Sequence, residues 1–153
     1  MKPAMVLVSE DAPEIVAAAK WWADVLRSGA KFDNGDDSSA GGLAGAMAML
    51  SRPEFAADVL DKFEAELRAG MARWFNDRGG WSVEQPDWGS YGRCVSVDYG
   101  PCRVLSDALT RAGGRGNGIT CFPWKTVMWV DPGKVTVRYG YAAPVTTIYH
   151  SED

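Results

Sequence analysis

Aromatic and basic side chains lie close together in the C-terminal third of the chain, and their types suit the binding of a flat anion. An indole ring stacks on planar groups and attracts cations to its face. An ammonium or guanidinium group pairs with phosphate or carboxylate. A carboxylate and a phenol stand at the end of the preceding predicted strand. We therefore predict a site for a small anionic ligand of nucleotide type, formed by Trp124, Lys125, Trp129, Arg138, Asp98 and Tyr99.

The spacing around a predicted turn places part of this set on one face of a β-hairpin. A turn at residues 131–134 pairs Val130 with Val135. Because side chains alternate between the faces of a strand, this register directs Trp129 and Arg138 away from the two valines. Two interpretations remain open. The face receives the ligand, or a helix covers Trp129 and the basic residues only flank it.

Charge and histidine content favour binding over catalysis. The formal charge is −4, which disfavours general nucleic-acid binding, whereas residues 93–138 hold seven basic and three acidic side chains, a net charge of +4. The one histidine, His150, stands near the end of the chain, and no nucleophile motif accompanies it. We predict a non-enzymatic protein that sequesters its ligand. The alternative is a metal-dependent enzyme acting on nucleotides, with Asp33, Asp36 or Asp98 as ligand or acid/base.

The acidic loop and the cysteines give no firm metal signal. Asp33, Asp36 and Asp37 lack the spacing of an EF-hand. Either they hold a cation, or Asp37, Ser38 or Ser39 caps the following helix while Asp33 and Asn34 stabilise the turn. The cysteines have no C-x-x-C spacing, which predicts reduced thiols without a disulfide or zinc site; they are Cys94, Cys102 and Cys121. We predict no cofactor and no bound metal.

A second aromatic group lies in residues 81–91, which we call the aromatic loop. Trp81, Trp88 and Tyr91 alternate there with Pro86 and Gly89. Exposed aromatic residues often dominate the binding energy of protein interfaces. Large rings also seal gaps over a core. The loop is therefore either a contact surface for a partner protein or a lid.

Hydrophobic periodicity predicts the elements that position these residues. The predicted helices are residues 12–28, 40–50, 51–76 (opened by a capping box at Ser51) and 100–112. The predicted buried stripe of the third helix is Phe55, Val59, Phe63, Leu67, Met71 and Trp74, with Leu60 and Phe75 on its flank. The predicted strands are residues 93–99, 126–130, 135–139 and 145–149. The sequence thus predicts one α+β domain over residues 1–153, with N-terminal helices packed on a small C-terminal antiparallel sheet, a meander with its hairpin near residues 126–139.

The sets Phe32–Asp36, Val97–Pro101, Phe122–Thr126 and Gly140–Tyr141 resemble small accessory proteins encoded by phages and prophages. The resemblance implies a counter-defence role, by sequestering a nucleotide signal or, as an alternative, by blocking a host defence effector through direct contact in the manner of an anti-CRISPR protein. The lack of a signal-peptide pattern predicts a cytoplasmic protein, and the resemblance implies the cytoplasm of the host cell. We expect a homo-oligomer, and no apolar run is long enough to span a membrane.

Overall fold

The computed structural model describes residues 2–28, 55–98, 100–114, 122–123, 125–140 and 143–151. The helices in this part of the chain are α1 (Pro13–Ser28), α2 (Ala57–Asn76) and α3 (Arg103–Arg111). The strands are β1 (Cys94–Val97), β2 (Thr126–Asp131), β3 (Lys134–Tyr139) and β4 (Thr146–His150), and a 3₁₀ turn at Ser90–Arg93 leads into β1. The three helices pack on a four-stranded antiparallel sheet, which confirms the predicted α+β class.

The sheet is a meander in the order β1-β2-β3-β4. Val130 pairs with Val135, and Trp129 pairs with Thr136, so the predicted hairpin register is confirmed. The side chains therefore separate into two faces. The outer face carries Cys94, Ser96, Val127, Trp129, Thr136 and Arg138, and the inner face carries Val95, Val97, Met128, Val130, Val135 and Val137.

The core lies between the helices and the inner face, whose six apolar side chains are at most 1% exposed. Trp22 of α1 is fully buried and meets the ring of Phe122 edge to face at 5.8 Å. Phe63 of α2 packs on Phe122 at 6.0 Å. A hydrogen bond of 2.7 Å from the Gly133 amide to the Glu14 carboxylate fastens the start of α1 to the hairpin turn.

Two helices begin later than the sequence predicts. Residues 55–56 are not helical, and α2 begins at Ala57. Its N-cap residue is Ala56, which has an extended backbone and a side chain that cannot accept a hydrogen bond. The capping box predicted at Ser51 therefore does not open this helix. The helix predicted from residue 100 begins at Arg103, because Pro101 instead pairs with Val97 beside β1. Strand β1 is shorter than predicted, since Arg93 belongs to the 3₁₀ turn.

The buried stripe of α2 is rotated relative to its prediction. Leu60 and Phe75, predicted on the flank, are buried, while Val59 and Trp74 are only partly buried. Helix α2 packs against both α1 and α3, so its buried face is turned toward two neighbours instead of one. The predicted helix at residues 40–50 and the acidic loop lie outside the described residues. No helix in the described part of the chain is long and apolar enough to cross a membrane.

Candidate contact surface

Two of the predicted ligand residues meet on the outer face of the sheet. The Arg138 guanidinium lies over the Trp129 ring, with its central carbon 5.7 Å from the ring centroid. Val127 pairs with Arg138 across the two strands, which brings the arginine beside the tryptophan. Trp124 and Tyr99 lie outside the described residues. Lys125 and Asp98 lie at the end of the strands opposite the hairpin turn, close to the row of Ser96, Val127 and Arg138.

The outer face reaches solvent. Ser96, Val127, Trp129 and Arg138 are each half-buried, in contrast to the sealed inner face. Trp129 and Val127 belong neither to the hydrophobic core nor to the side chains packed against it. Within the described residues, therefore, the helices cover the inner face and do not seal Trp129.

The Arg138 guanidinium has one buried donor, Nε, that no acceptor among the described residues satisfies. Two carboxylates lie on or next to this face. Asp98 follows β1, one row beyond Ser96, and is exposed, whereas Asp131 stands at the turn and is engaged by Arg93 and Ser90, at 2.9 Å each. An aromatic face stabilises a guanidinium by cation–π attraction but supplies no hydrogen-bond acceptor.

Arg93 is the organising residue at the start of β1. Its side chain is 3% exposed and donates from Nε to the Val130 carbonyl at 2.8 Å and from Nη2 to the Asp131 carboxylate at 2.9 Å. The same guanidinium donates to the carbonyls of Trp88 (3.0 Å) and Pro86 (2.9 Å). One buried cation therefore ties the aromatic loop to strand β2.

The aromatic loop is ordered by short turns and divides its aromatic residues between core and solvent. Trp81 is 5% exposed and belongs to the core, so its side chain is not available to a partner in this conformation. Trp88 is 41% and Tyr91 96% exposed. Hydrogen bonds from the amides of Trp88 and Ser90 to the carbonyls of Gln85 and Asp87 hold the loop backbone. The loop is thus neither wholly a lid nor wholly a contact surface.

The exposed part of the loop continues into the outer face. The Ser90 hydroxyl bonds to Asp131, and the Cys94 thiol bonds to the Ser90 carbonyl with Sγ and O 3.6 Å apart. Cys94 itself pairs with Trp129 across β1 and β2. We call the combined area, formed by Trp88, Tyr91, Trp129 and Arg138, the contact surface. Sequence reasoning named all four residues but did not place them together, and it missed the role of Arg93.

The Cys94 thiol is held in its protonated form by its surroundings. Burial raises the pKa of Cys94, and the Asp131 carboxylate raises it further, against a smaller lowering by Arg93. Since the thiolate is the reactive form, we expect Cys94 to react with iodoacetamide several times more slowly at mildly alkaline pH in the folded protein than in urea. Peptide mapping by mass spectrometry at timed intervals measures the two rates; equal rates would contradict the burial of this thiol.

Apart from the contact surface, a groove with a volume of about 340 Å³ lies between α2 and α3. Its floor is apolar, with Trp74, Val104 and Ala108, whereas three arginines and three acidic residues surround it. These opposite charges balance, so the groove favours neither an anion nor a cation. No group of three or more histidine, cysteine or acidic side chains that could hold a metal ion occurs within the described residues.

Comparison with known proteins gives consistent matches. Residues 46–149 match the model of the BTG family. A BTG family protein of Dictyostelium discoideum is 28% identical over 132 residues, which cover 85% of this chain and 25% of that protein. The chain therefore spans about a quarter of the length of that relative. The fold is similar to the BTG/Tob domain of C. elegans FOG-3, with a TM-score of 0.61 and 16% identity over 91% of this chain and 82% of that one.

These matches correct the interpretation drawn from sequence patterns. The resemblance to phage and prophage accessory proteins is wrong, and the counter-defence role and host location inferred from it lose their basis. Sequestration of a nucleotide-type ligand is also wrong, as is the alternative of a metal-dependent enzyme on nucleotides. The error arose because a half-exposed arginine beside a tryptophan suits a protein carboxylate as well as it suits a phosphate.

Proposed function

Because this chain belongs to the BTG family, a family of protein-interaction domains, we propose that it binds a partner protein through the contact surface. The family is non-enzymatic, which confirms the prediction that the protein is not an enzyme. It acts through protein–protein contacts, so the expected partner is a protein and not a small ligand. Of the anti-CRISPR alternative, only the expectation of a protein partner remains.

The observation that carries the proposal is the rigid exposure of two aromatic side chains. Tyr91 is 96% exposed and belongs to the hydrogen-bonded 3₁₀ turn Ser90–Arg93, whose last residue is buried, so a turn anchored to the fold presents the ring to solvent. Trp88 is half-exposed, and its carbonyl is held by the same arginine. Aromatic side chains on a fixed backbone lose little conformational entropy when they bind, which makes them efficient contact residues.

The outer face extends this area toward Trp129. The two regions are continuous through the Ser90–Asp131 and Cys94–Ser90 hydrogen bonds. Tryptophan, tyrosine and arginine are the residue types enriched among the strongest contributors to protein interfaces. All three types occur together here, whereas the groove between α2 and α3 offers one partly buried tryptophan among balanced charges.

We expect the Trp88→Ala and Tyr91→Ala variants each to weaken partner binding about thirtyfold or more, because loss of a central aromatic contact costs about 2 kcal/mol or more. Immobilised protein is exposed to lysate of the source cells, and captured proteins are quantified by mass spectrometry. Val145→Ala is the matched control, since Val145 is 52% exposed next to the opposite edge strand. A stoichiometric partner retained by both aromatic variants, or lost equally with Val145→Ala, would contradict the proposal.

A further inference from the structure

We propose that the partner presents a carboxylate side chain, which pairs with the Arg138 guanidinium beside the Trp129 ring. This inference rests on the proposed function and names the chemistry that the contact surface recognises. It concerns an aspartate or glutamate of a partner protein. A small anionic ligand is not implied.

The first support is the unsatisfied state of Arg138. The side chain is half-buried against Trp129, and its Nε is buried without an acceptor among the described residues. A partly desolvated guanidinium with an unsatisfied donor is unfavourable in the free protein. A carboxylate supplies two acceptor oxygens in the planar geometry that matches the guanidinium, so it pairs with the part of the group that solvent reaches and offsets the poor solvation at Nε.

The second support is the charge of the surrounding face. Asp131 does not pair with Arg138, because it stands at the turn, opposite Lys134, and its carboxylate oxygen accepts from Arg93 and Ser90. Lys134, which pairs with Asp131 across the hairpin, is exposed and adds a second cation. With Lys125 and Asp98 included, the outer face and its ends carry three cations against two carboxylates, on a chain whose formal charge is −4. Complementary charge at an interface speeds association and selects the partner.

The third support is the position of Trp129. Its ring holds the guanidinium in place at 5.7 Å, so a carboxylate meets a cation whose orientation is already set. An exposed lysine would lose more side-chain entropy in the same contact. The Arg138–Trp129 pair therefore favours a specific, short-range contact over a diffuse attraction to any acidic surface.

A library of short random peptides displayed on yeast tests the chemistry directly. The full chain is the bait, and binders are sequenced. We expect aspartate or glutamate at one fixed position of the selected peptides, with enrichment lost when the bait is Arg138→Gln and kept when it is Lys20→Gln. Lys20 is an exposed cation on α1 that already pairs with Asp24, which makes it a matched control for loss of one charge.

A double-mutant cycle then isolates the pair. With a selected peptide, Arg138→Gln and replacement of the peptide carboxylate by its amide are each expected to weaken binding about tenfold or more. The two losses are expected not to add. Arg138→Lys restores charge without the planar fork and is expected to recover only part of the affinity. Circular dichroism and the urea midpoint establish that each variant folds.

Three results would overturn the inference. First, the selected peptides are not enriched in acidic residues, although their binding still depends on Trp88 and Tyr91. This result would reject the carboxylate contact and leave the proposed function standing. Additive losses in the cycle would show that the acid contacts another residue. Self-association of the purified chain that Arg138→Gln abolishes would assign the carboxylate to a second copy. Peptides indifferent to all three side chains would instead remove the proposed function itself.

Discussion

The Arg93→Ala variant is expected to lose about 3 to 5 kcal/mol of stability, the usual cost of removing one partner from a buried ion pair. Its guanidinium is 3% exposed and bonds to three backbone carbonyls as well as to the Asp131 carboxylate. Alanine leaves these acceptors without their donor in a region that water enters poorly. Urea unfolding followed by circular dichroism measures the loss as a lower midpoint at unchanged slope.

Arg103→Ala is the control for this prediction. Arg103 forms an ion pair with Asp107 at 3.7 Å, but its side chain is 93% exposed, so water screens the attraction. We expect no measurable change in its urea midpoint. A midpoint for Arg93→Ala that equals that of Arg103→Ala would show that the buried network does not stabilise the fold.

A conservative variant separates stability from the placement of the loop. Arg93→Lys keeps a positive charge near Asp131 but cannot reach the carbonyls of Trp88, Pro86 and Val130 together, because an ammonium lacks the planar fork of five donors. It is expected to fold with reduced stability. If the network also positions the aromatic loop, the variant binds the partner more weakly than its folded fraction explains.

The hairpin and its two faces were predictable because they depend on local rules. A Pro-Gly turn fixes which residues face each other, and alternation along each strand then assigns every side chain to a face. The pairing of Val130 with Val135 and the placement of Trp129 on the opposite face both follow from the six or so residues on either side of the turn. No long-range information is needed for either.

Arg93 was beyond sequence reasoning because its partners lie far along the chain. Its sequence neighbours mark it as one more cation in a basic segment, whereas Asp131 and Val130, nearly forty residues later, decide that it is buried and neutralised. The available signal was weak: Asp131 is one of only three acids in that segment. Charged residues are almost never fully buried unless paired, so surface exposure was the default.

The tryptophans illustrate the same limit. Trp81 and Trp88 have similar neighbours in the sequence, with glycine or proline close by. The difference between them comes from Val6, whose amide and carbonyl both bond to Trp81 and draw it into the core. Family membership was likewise not available from residue types and spacing, because a basic aromatic face is compatible with nucleotide and protein ligands alike.

The same contact between Val6 and Trp81 makes Gly80 the most constrained glycine in the described part of the chain. A Cβ at this position would lie 1.8 Å from the Val6 carbonyl oxygen and 2.7 Å from its carbon, and the backbone has φ +90°. Two hydrogen bonds between Val6 and Trp81, of 2.8 and 3.0 Å, hold the N-terminal segment in this position, so it moves aside only if they break.

Gly80→Ala is therefore expected to cost about 3 kcal/mol or more, as strain at positive φ adds to the loss of the two bonds. Gly113→Ala isolates the strain, since Gly113 has the same φ of +90° with no atom within 4 Å of a Cβ, and it is expected to cost only about 1 kcal/mol. Urea midpoints give the difference, and hydrogen exchange at the Val6 and Trp81 amides locates it. Equal costs for the two variants would mean that the N-terminal segment around Val6 moves aside without loss of stability, and that its two hydrogen bonds to Trp81 do not stabilise the fold.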